Sequence, residues 1–253
     1  MPDVKFNEFV EIVKRLRKEC PWDREQTNDS IKSATIEEAY EVVEAIENKD
    51  YDELKKELGD LLLHVVFHTE IASETHDFKI EDVIDSITEK LIRRHPHVFG
   101  EVKVTDSKEV KKNWEEIKLT EGRKALLDGV PEMLPALQRA HRLQEKAAKV
   151  GFDWEKKEDV WKKVIEEMEE MHASEKDGTY EELEGEIGDV FFALVNYARF
   201  LDVNPENALR RTNTKFIKRF GYVEKKITGL GKKLSESNLE EMDKYWEESK
   251  KEN

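Results

Sequence analysis

The sequence has a single cysteine, no long apolar segment and no excess of basic residues, and each absence excludes a class of protein. Cys20 has no partner cysteine, which excludes a scaffold stapled by internal disulfides. The longest apolar runs, such as residues 61–67, fall far short of the ~20 residues that a membrane-spanning helix needs. The charged first residues lack the apolar core of a signal peptide. We therefore expect a cytoplasmic protein that does not interact with membranes.

The charge balance limits the partners further. Acidic residues number 58 against 43 Lys and Arg, which leaves a net charge of -15 over 253 residues. Binding a nucleic-acid polymer depends on neutralising its phosphates with basic surface, so such a partner is not expected. If the ligand carries several phosphates, a metal cation has to mediate the contact.

The spacing of apolar residues predicts an all-α protein. Apolar side chains recur at i, i+3, i+4 and i+7, for example at Phe6, Phe9, Val10 and Val13. Alternating β-branched runs bounded by turn residues do not occur. Two glycines and two prolines fall within residues 121–135, and such punctuation ends helices.

The two halves of the chain repeat one another at an offset of 129 residues. Glu37–Glu41 reads EExxE and recurs at Glu166–Glu170, while Glu57–Asp60 reads ExxD and recurs at Glu186–Asp189. Fifteen residues separate the two motifs in both halves. This repetition predicts two tandem helical-bundle domains. We place their bounds at residues 1–118 and 136–253, with a linker at 119–135.

The repeated carboxylates point to metal binding. Residues three or four apart share one face of a helix, so two antiparallel helices can bring four carboxylates together. Converging carboxylates repel each other unless a cation compensates them, and oxygen ligands suit Mg²⁺. No His or Cys stands at ligand spacing with these acids, so zinc is not expected. The predicted metal ligands are Glu38, Glu41, Glu57 and Asp60 in the first copy and Glu167, Glu170, Glu186 and Asp189 in the second.

A bland interpretation competes with this one, because an acidic helix face is usually just solvated. Under it, the chain is a non-catalytic helical repeat protein whose acidic face binds a basic partner. The recurrence of both motifs at one spacing, each time where ExxD opens the most apolar helix of its half, favours the metal site instead.

These motifs resemble the MazG family of nucleoside triphosphate pyrophosphohydrolases, within the all-α NTP pyrophosphatase superfamily, in its two-repeat form. The resemblance covers nearly the whole chain. Besides the acidic motifs, the matching segments are Cys20–Asp23 with Gln26 and Thr27, Arg93–Gly100, Gly129–Pro131, Leu134–Leu137 and Val150–Trp154.

The resemblance implies Mg²⁺-dependent hydrolysis of NTPs or dNTPs between the α- and β-phosphates, giving NMP and pyrophosphate. Mn²⁺ is the alternative ion, and a homodimer that cleans the nucleotide pool is the expected form. No base-reading motif is visible, so broad base specificity is expected. Hydrolysis of another phosphoanhydride, such as pyrophosphate, stays open, and so does the choice of active repeat, since both acidic sets are intact.

Individual roles follow from the motif positions. Glu38 and Glu167 are the candidates for both binding metal and taking a proton from water, with Glu37 and Glu166 as accessory acids. The residues that the resemblance places at the triphosphate or base are Lys215, Arg219 and Trp246, with Lys90, Arg94 and Trp114 as their first-copy counterparts. The competing interpretation is that the basic residues are solvated or paired with Glu and that each Trp caps a core.

Overall fold

The computed structural model describes residues 2–106, 109–110, 113–114, 117 and 125–251. Within these residues the secondary structure is helical and contains no strand, which confirms the all-α prediction. The chain divides into two compact units, Met1–Lys118 and Leu119–Asn253. The separate linker stays a prediction, and its residues 119–124 lie outside the described part of the chain.

The first unit is a bundle built around a helical hairpin. Its helices are α1 Pro2–Glu19, α2 Pro21–Glu25, α3 Asn28–Asn48, α4 Tyr51–Glu74, α5 Ile80–Arg94 and α6 Pro96–Phe99. The Thr27 hydroxyl accepts from the Ser30 amide at the start of α3, and the Asp50 carboxylate accepts from the first amides of α4. Between them Lys49 adopts a left-handed conformation, φ 56°, which ends α3 and turns the chain back.

The core of this unit joins α1, α3, α4 and α5. Val10 and Val13 of α1 pack with Ile31 of α3 and with Val66 and Phe67 of α4. Burying these side chains supplies the main force that holds the hairpin together. This packing holds α3 against α4, with EExxE near the middle of α3 and ExxD in the first half of α4.

The second unit repeats the hairpin. Its helices are α7 Ala136–Ala148, α8 Lys157–Asp177, α9 Tyr180–Phe200, α10 Pro205–Gly229, a 3₁₀ turn Leu234–Glu236, and α11 Leu239–Ser249. Thr179 and Glu182 form a reciprocal capping box at the start of α9. Val160 and Val164 of α8 and Ala193 and Val195 of α9 are buried, so α8 and α9 correspond to α3 and α4. No helix in the described part of the chain is long and apolar enough to cross a membrane.

Candidate metal centres

The first unit brings three of its four predicted ligands into one group. Glu38 and Glu41 stand on α3 and Glu57 on α4, and one carboxylate oxygen from each lies within 4.8 Å of the others. Three hard oxygen ligands at this spacing can share one divalent ion, with waters or phosphate oxygens completing its shell. Asp60 is outside this group of three, although its charge acts on Glu38.

The electrostatics of this group show carboxylates held together against their repulsion. Burial, aided by a hydrogen bond with Glu53 and the charge of Glu41, raises the pKa of Glu57 to about 7. Burial and then the charge of Glu41 also raise the pKa of Glu38. Burial and the neighbouring negative charge both disfavour the ionised carboxylates. A bound divalent cation would stabilise the ionised form and so lower these pKa values.

The second unit gathers a slightly different triad. Glu167 on α8 and Glu186 and Asp189 on α9 place one carboxylate oxygen each within 4.8 Å of the others. Glu170 lies outside this triad. Partial withdrawal from water and then the charge of Glu167 raise the pKa of Glu170, so it stands close enough to feel the triad. The two copies therefore share the helix pair and the acidic set but differ in which three acids meet.

A lysine that the sequence analysis missed lies beside the second triad. Lys163 Nζ lies 2.6 Å from Glu167 Oε1 and 2.8 Å from Glu166 Oε1. These hydrogen bonds raise the pKa of Lys163, so the amine is charged at neutral pH. The sequence could have indicated this pair, because Lys163 precedes Glu167 by four residues, one turn of a helix. The equivalent position of the first unit is Ala34, which offers no charge.

A histidine that the sequence analysis missed lies beside the first triad. His64 Nε2 is 3.9 Å from Glu38 Oε1, and its Nδ1 is hydrogen bonded to Thr35 Oγ1 at 2.9 Å. The same hydroxyl meets His68 Nε2 at 2.8 Å. Burial lowers the pKa of His64, which favours the neutral ring. Its spacing of four residues from Asp60 on α4 could have indicated this position.

The predicted substrate residues of the second unit lie on α10 and α11. The Arg219 guanidinium stands 5.9 Å from the centre of the Trp246 ring, and Trp246 packs against Phe216 with ring centres 5.3 Å apart. Lys215 is exposed. The structure thus brings Arg219 and Trp246 together, while their contacts with phosphate and base stay predictions.

Their counterparts in the first unit follow the same pattern. Lys90 and Arg94 are half-buried on α5, four residues apart on one face. Trp114 meets His95 edge to face, with ring centres 5.5 Å apart. The accessory acid Glu166 is the one bound to Lys163, and Glu37 is exposed on α3 beside Glu38, where its charge contributes to raising the pKa of Glu38.

A cavity that sequence reasoning did not anticipate opens next to the second triad. It has a volume of about 380 Å³ and is lined at one end by Glu167, Asp189 and Lys163. The rest of the wall is mainly apolar and includes Leu143, Phe152, Trp154, Val160 and Phe192. A concave, mostly apolar space with a few polar groups is typical of small-molecule sites.

Comparison with known proteins adds independent information. Residues 26–99 and 155–223 match the family described as "MazG nucleotide pyrophosphohydrolase domain". A Thermotoga maritima protein named "Nucleoside triphosphate pyrophosphohydrolase/pyrophosphatase MazG" is 47% identical over 98% of this chain and 96% of its own length. An Escherichia coli K12 protein named "Nucleoside triphosphate pyrophosphohydrolase" is 41% identical over 98% of this chain and 97% of its own.

Proposed function

Because the chain belongs to the MazG family of nucleotide pyrophosphohydrolases, we propose that it hydrolyses nucleoside triphosphates to nucleoside monophosphates and pyrophosphate. The observation that carries the proposal is the convergence of three carboxylates within 4.8 Å in each unit, on paired helices. The names of the T. maritima and E. coli relatives support the same reaction. Clustering also disfavours the non-catalytic alternative, in which the acids would be spread around the helices.

The donor set fits a hard divalent cation, and we propose Mg²⁺, with Mn²⁺ as the alternative. Every ligand offered by the two triads is a carboxylate oxygen, and burial, followed by the neighbouring carboxylates, raises the pKa of Glu38 and Glu57. Such a cation supplies neutralisation of phosphate oxygens and a bound water of lowered pKa. Glu38, Glu41 and Glu57 would hold it in the first unit, with Asp60 adjacent. Glu167, Glu186 and Asp189 would hold it in the second, with Glu170 adjacent.

The proton of the attacking water needs a base beside the triad. Glu38 and Glu167 are our candidates, because each sits on the inner face of its helix at the junction with the next helix. In the second unit the charged Lys163 amine pairs with Glu167 at 2.6 Å. The same amine also lines the cavity and can contact a phosphate oxygen.

The remaining roles concern substrate and assembly. Arg219, Lys215 and Trp246 would contact the bound nucleotide, with Lys90, Arg94 and Trp114 in the corresponding positions of the first unit. A homodimer is proposed because α10 exposes large apolar side chains, Phe216 at 55% and Ile217 at 70%. We place the enzyme in the cytoplasm, acting on the nucleotide pool with broad base specificity.

The test is a product analysis. The protein is incubated with each NTP and dNTP in Mg²⁺, and we expect NMP and pyrophosphate in equal amounts. Release of nucleoside diphosphate and phosphate, or no turnover of any nucleotide, would overturn the proposal. If the protein releases phosphate from pyrophosphate and does not hydrolyse nucleotides, the alternative function, hydrolysis of pyrophosphate, is favoured.

Variants separate the two units. Glu186→Gln and Glu57→Gln each remove one triad carboxylate, and we expect the variant in the active unit to lose at least a hundredfold in kcat. Glu184→Gln is the matched control, because Glu184 is an exposed acid on α9 outside the triad. Equal loss in the control would mean that the triad has no special role.

A further inference from the structure

The cavity of the second unit contains a buried hydrogen-bond acceptor that no residue in the described part of the chain satisfies. Gln144 of α7 lines the cavity and is only 8% exposed. Its Nε2 donates to the Phe192 carbonyl at 2.8 Å, while its Oε1 is buried and has no hydrogen-bond partner among the described residues. Since a carbonyl accepts only from the NH₂ group, this contact fixes which end of the amide is the oxygen, and that oxygen is the end still able to accept. Buried polar groups are rarely left unpaired in folded proteins, so this oxygen is a candidate to accept from a bound ligand.

A second amide in the same cavity is also held in one orientation. Asn196 of α9 is 5% exposed, and its Oδ1 accepts from Arg199 Nε at 3.0 Å. Arg199 is itself fixed by Asp153, with Nη1 3.0 Å from Oδ2. The NH₂ group of Asn196 is therefore the end that can donate to a ligand. Two oriented amides within apolar and aromatic walls suit a flat heteroaromatic ring that carries polar edges.

The cavity is also connected to the chemistry. Glu167 and Asp189 of the metal triad and the Lys163 amine form part of the same wall. A nucleotide with its phosphates at these residues has its base directed along the apolar remainder of the cavity.

The first unit carries different side chains at the equivalent positions. At the offset of 129 residues, Asn196 corresponds to Phe67, which is buried in the core. Ala193 corresponds to His64, whose ring is hydrogen bonded to Thr35. Larger side chains thus stand in the first unit where the second unit has a small or a polar side chain. The proposed base site therefore belongs to the second unit alone.

From these contacts we infer that the cavity binds the nucleotide base, and that Gln144 Oε1 accepts a hydrogen bond from an N–H group on the edge of that base. The inference rests on the proposed pyrophosphohydrolase activity and names the specificity determinant of its second unit. Adenine, cytosine and guanine carry an amine, and uracil and thymine carry a ring N–H, so one acceptor serves all common bases. It discriminates against a base whose edge lacks the donor.

The test compares each parent nucleotide with an analogue that lacks the donor. ATP is paired with purine riboside 5′-triphosphate, which has no exocyclic amine, and UTP with N3-methyl-UTP. All proteins carry Glu57→Gln, so that turnover by the first unit does not contribute. We expect the Gln144 protein to prefer the parent by about tenfold in kcat/KM, the usual scale for one buried hydrogen bond.

Gln144→Met keeps the length of the side chain and removes the acceptor. We expect this variant to lose the preference, mainly through a lower kcat/KM for the parent nucleotide. Its kcat/KM for the analogue should stay within about twofold, which also shows that the variant is folded. Gln138→Met is the matched control, because Gln138 lies on the same helix outside the cavity and should keep the preference.

The outcomes separate the inference from the proposed function. If the wild-type protein hydrolyses no nucleotide, the proposed function is refuted, and the inference about the base site is refuted as well. If it hydrolyses nucleotides but Glu57→Gln abolishes that activity, the cavity does not serve catalysis and the inference is overturned. It is overturned equally if parent and analogue react alike, or if Gln144→Met keeps the preference.

Discussion

The pKa of Glu57 predicts how metal binding in the first unit depends on pH. Burial, the hydrogen bond with Glu53 and the charge of Glu41 raise this pKa to about 7. A carboxylate must lose its proton before it can bind a metal ion. At pH 6, one unit below this pKa, roughly ten of eleven molecules therefore hold a proton on Glu57, whereas at pH 8 few do. The apparent metal affinity of this unit should rise about tenfold between pH 6 and pH 8.

The same shift has a defined sign for stability. The ordinary value of 4.5 stands for the unfolded chain, and the folded value is higher, so the folded metal-free protein binds this proton more tightly. The resulting stabilisation is present below about pH 4.5 and is lost as the pH rises through about 7. Mg²⁺ should offset that loss at high pH, because it replaces the proton as the partner of the carboxylate.

The assay measures Mn²⁺ or Mg²⁺ binding by calorimetry at pH 6, 7 and 8 in a Glu186→Gln protein, whose second triad is incomplete. Thermal melting in EDTA across the same range gives the stability. Glu57→Gln should reduce the pH dependence of melting between pH 5 and 8, whereas Glu89→Gln, which changes an exposed acid on α5, should leave it as in the parent protein. An affinity that is the same at pH 6 and pH 8 would refute the reasoning.

Three further predictions concern the second unit. Lys163→Met should destabilise the metal-free protein by about 1 kcal/mol, because water reaches the partly exposed Lys163 and weakens its pair with the buried Glu167. Saturating Mg²⁺ should recover most of the loss, and melting with and without Mg²⁺ measures it. Thr179→Ala removes the cap of α9 and should lower the free energy of unfolding by about 1 kcal/mol in urea melts, while kcat at 25 °C stays unchanged. Trp246→Ala should raise KM for nucleotides with little change in kcat if the ring contacts the bound nucleotide, and an unchanged KM would support a purely structural ring packed on Phe216.

Most of the fold could be predicted from sequence because its signals are local. The 3.6-residue period of apolar side chains and the capping residues such as Thr179 and Asp50 define helices within a few residues of their observed ends. The offset of 129 residues between the two copies indicates that both halves fold alike. Packing partners of individual side chains follow from neither signal.

The candidate site was also partly predictable from the sequence. The EExxE and ExxD spacings place acids on one face of each helix, and the structure brings three of them together in each unit. Which three meet could not be predicted, because Asp189 joins the second triad while its counterpart Asp60 stays outside the first. That difference depends on small changes in how each hairpin packs.

By itself, the sequence determined that the chain is helical, repeated and supplied with two sets of carboxylates, since these properties depend on residues a few positions apart. Only the tertiary structure decided that carboxylates of the second set line a cavity. Gln144 and the Phe192 carbonyl are 48 residues apart in the chain and 2.8 Å apart in the structure. Contacts of this kind exist only once α7 has packed on α9, and they turn a repeated acidic motif into two sites that differ.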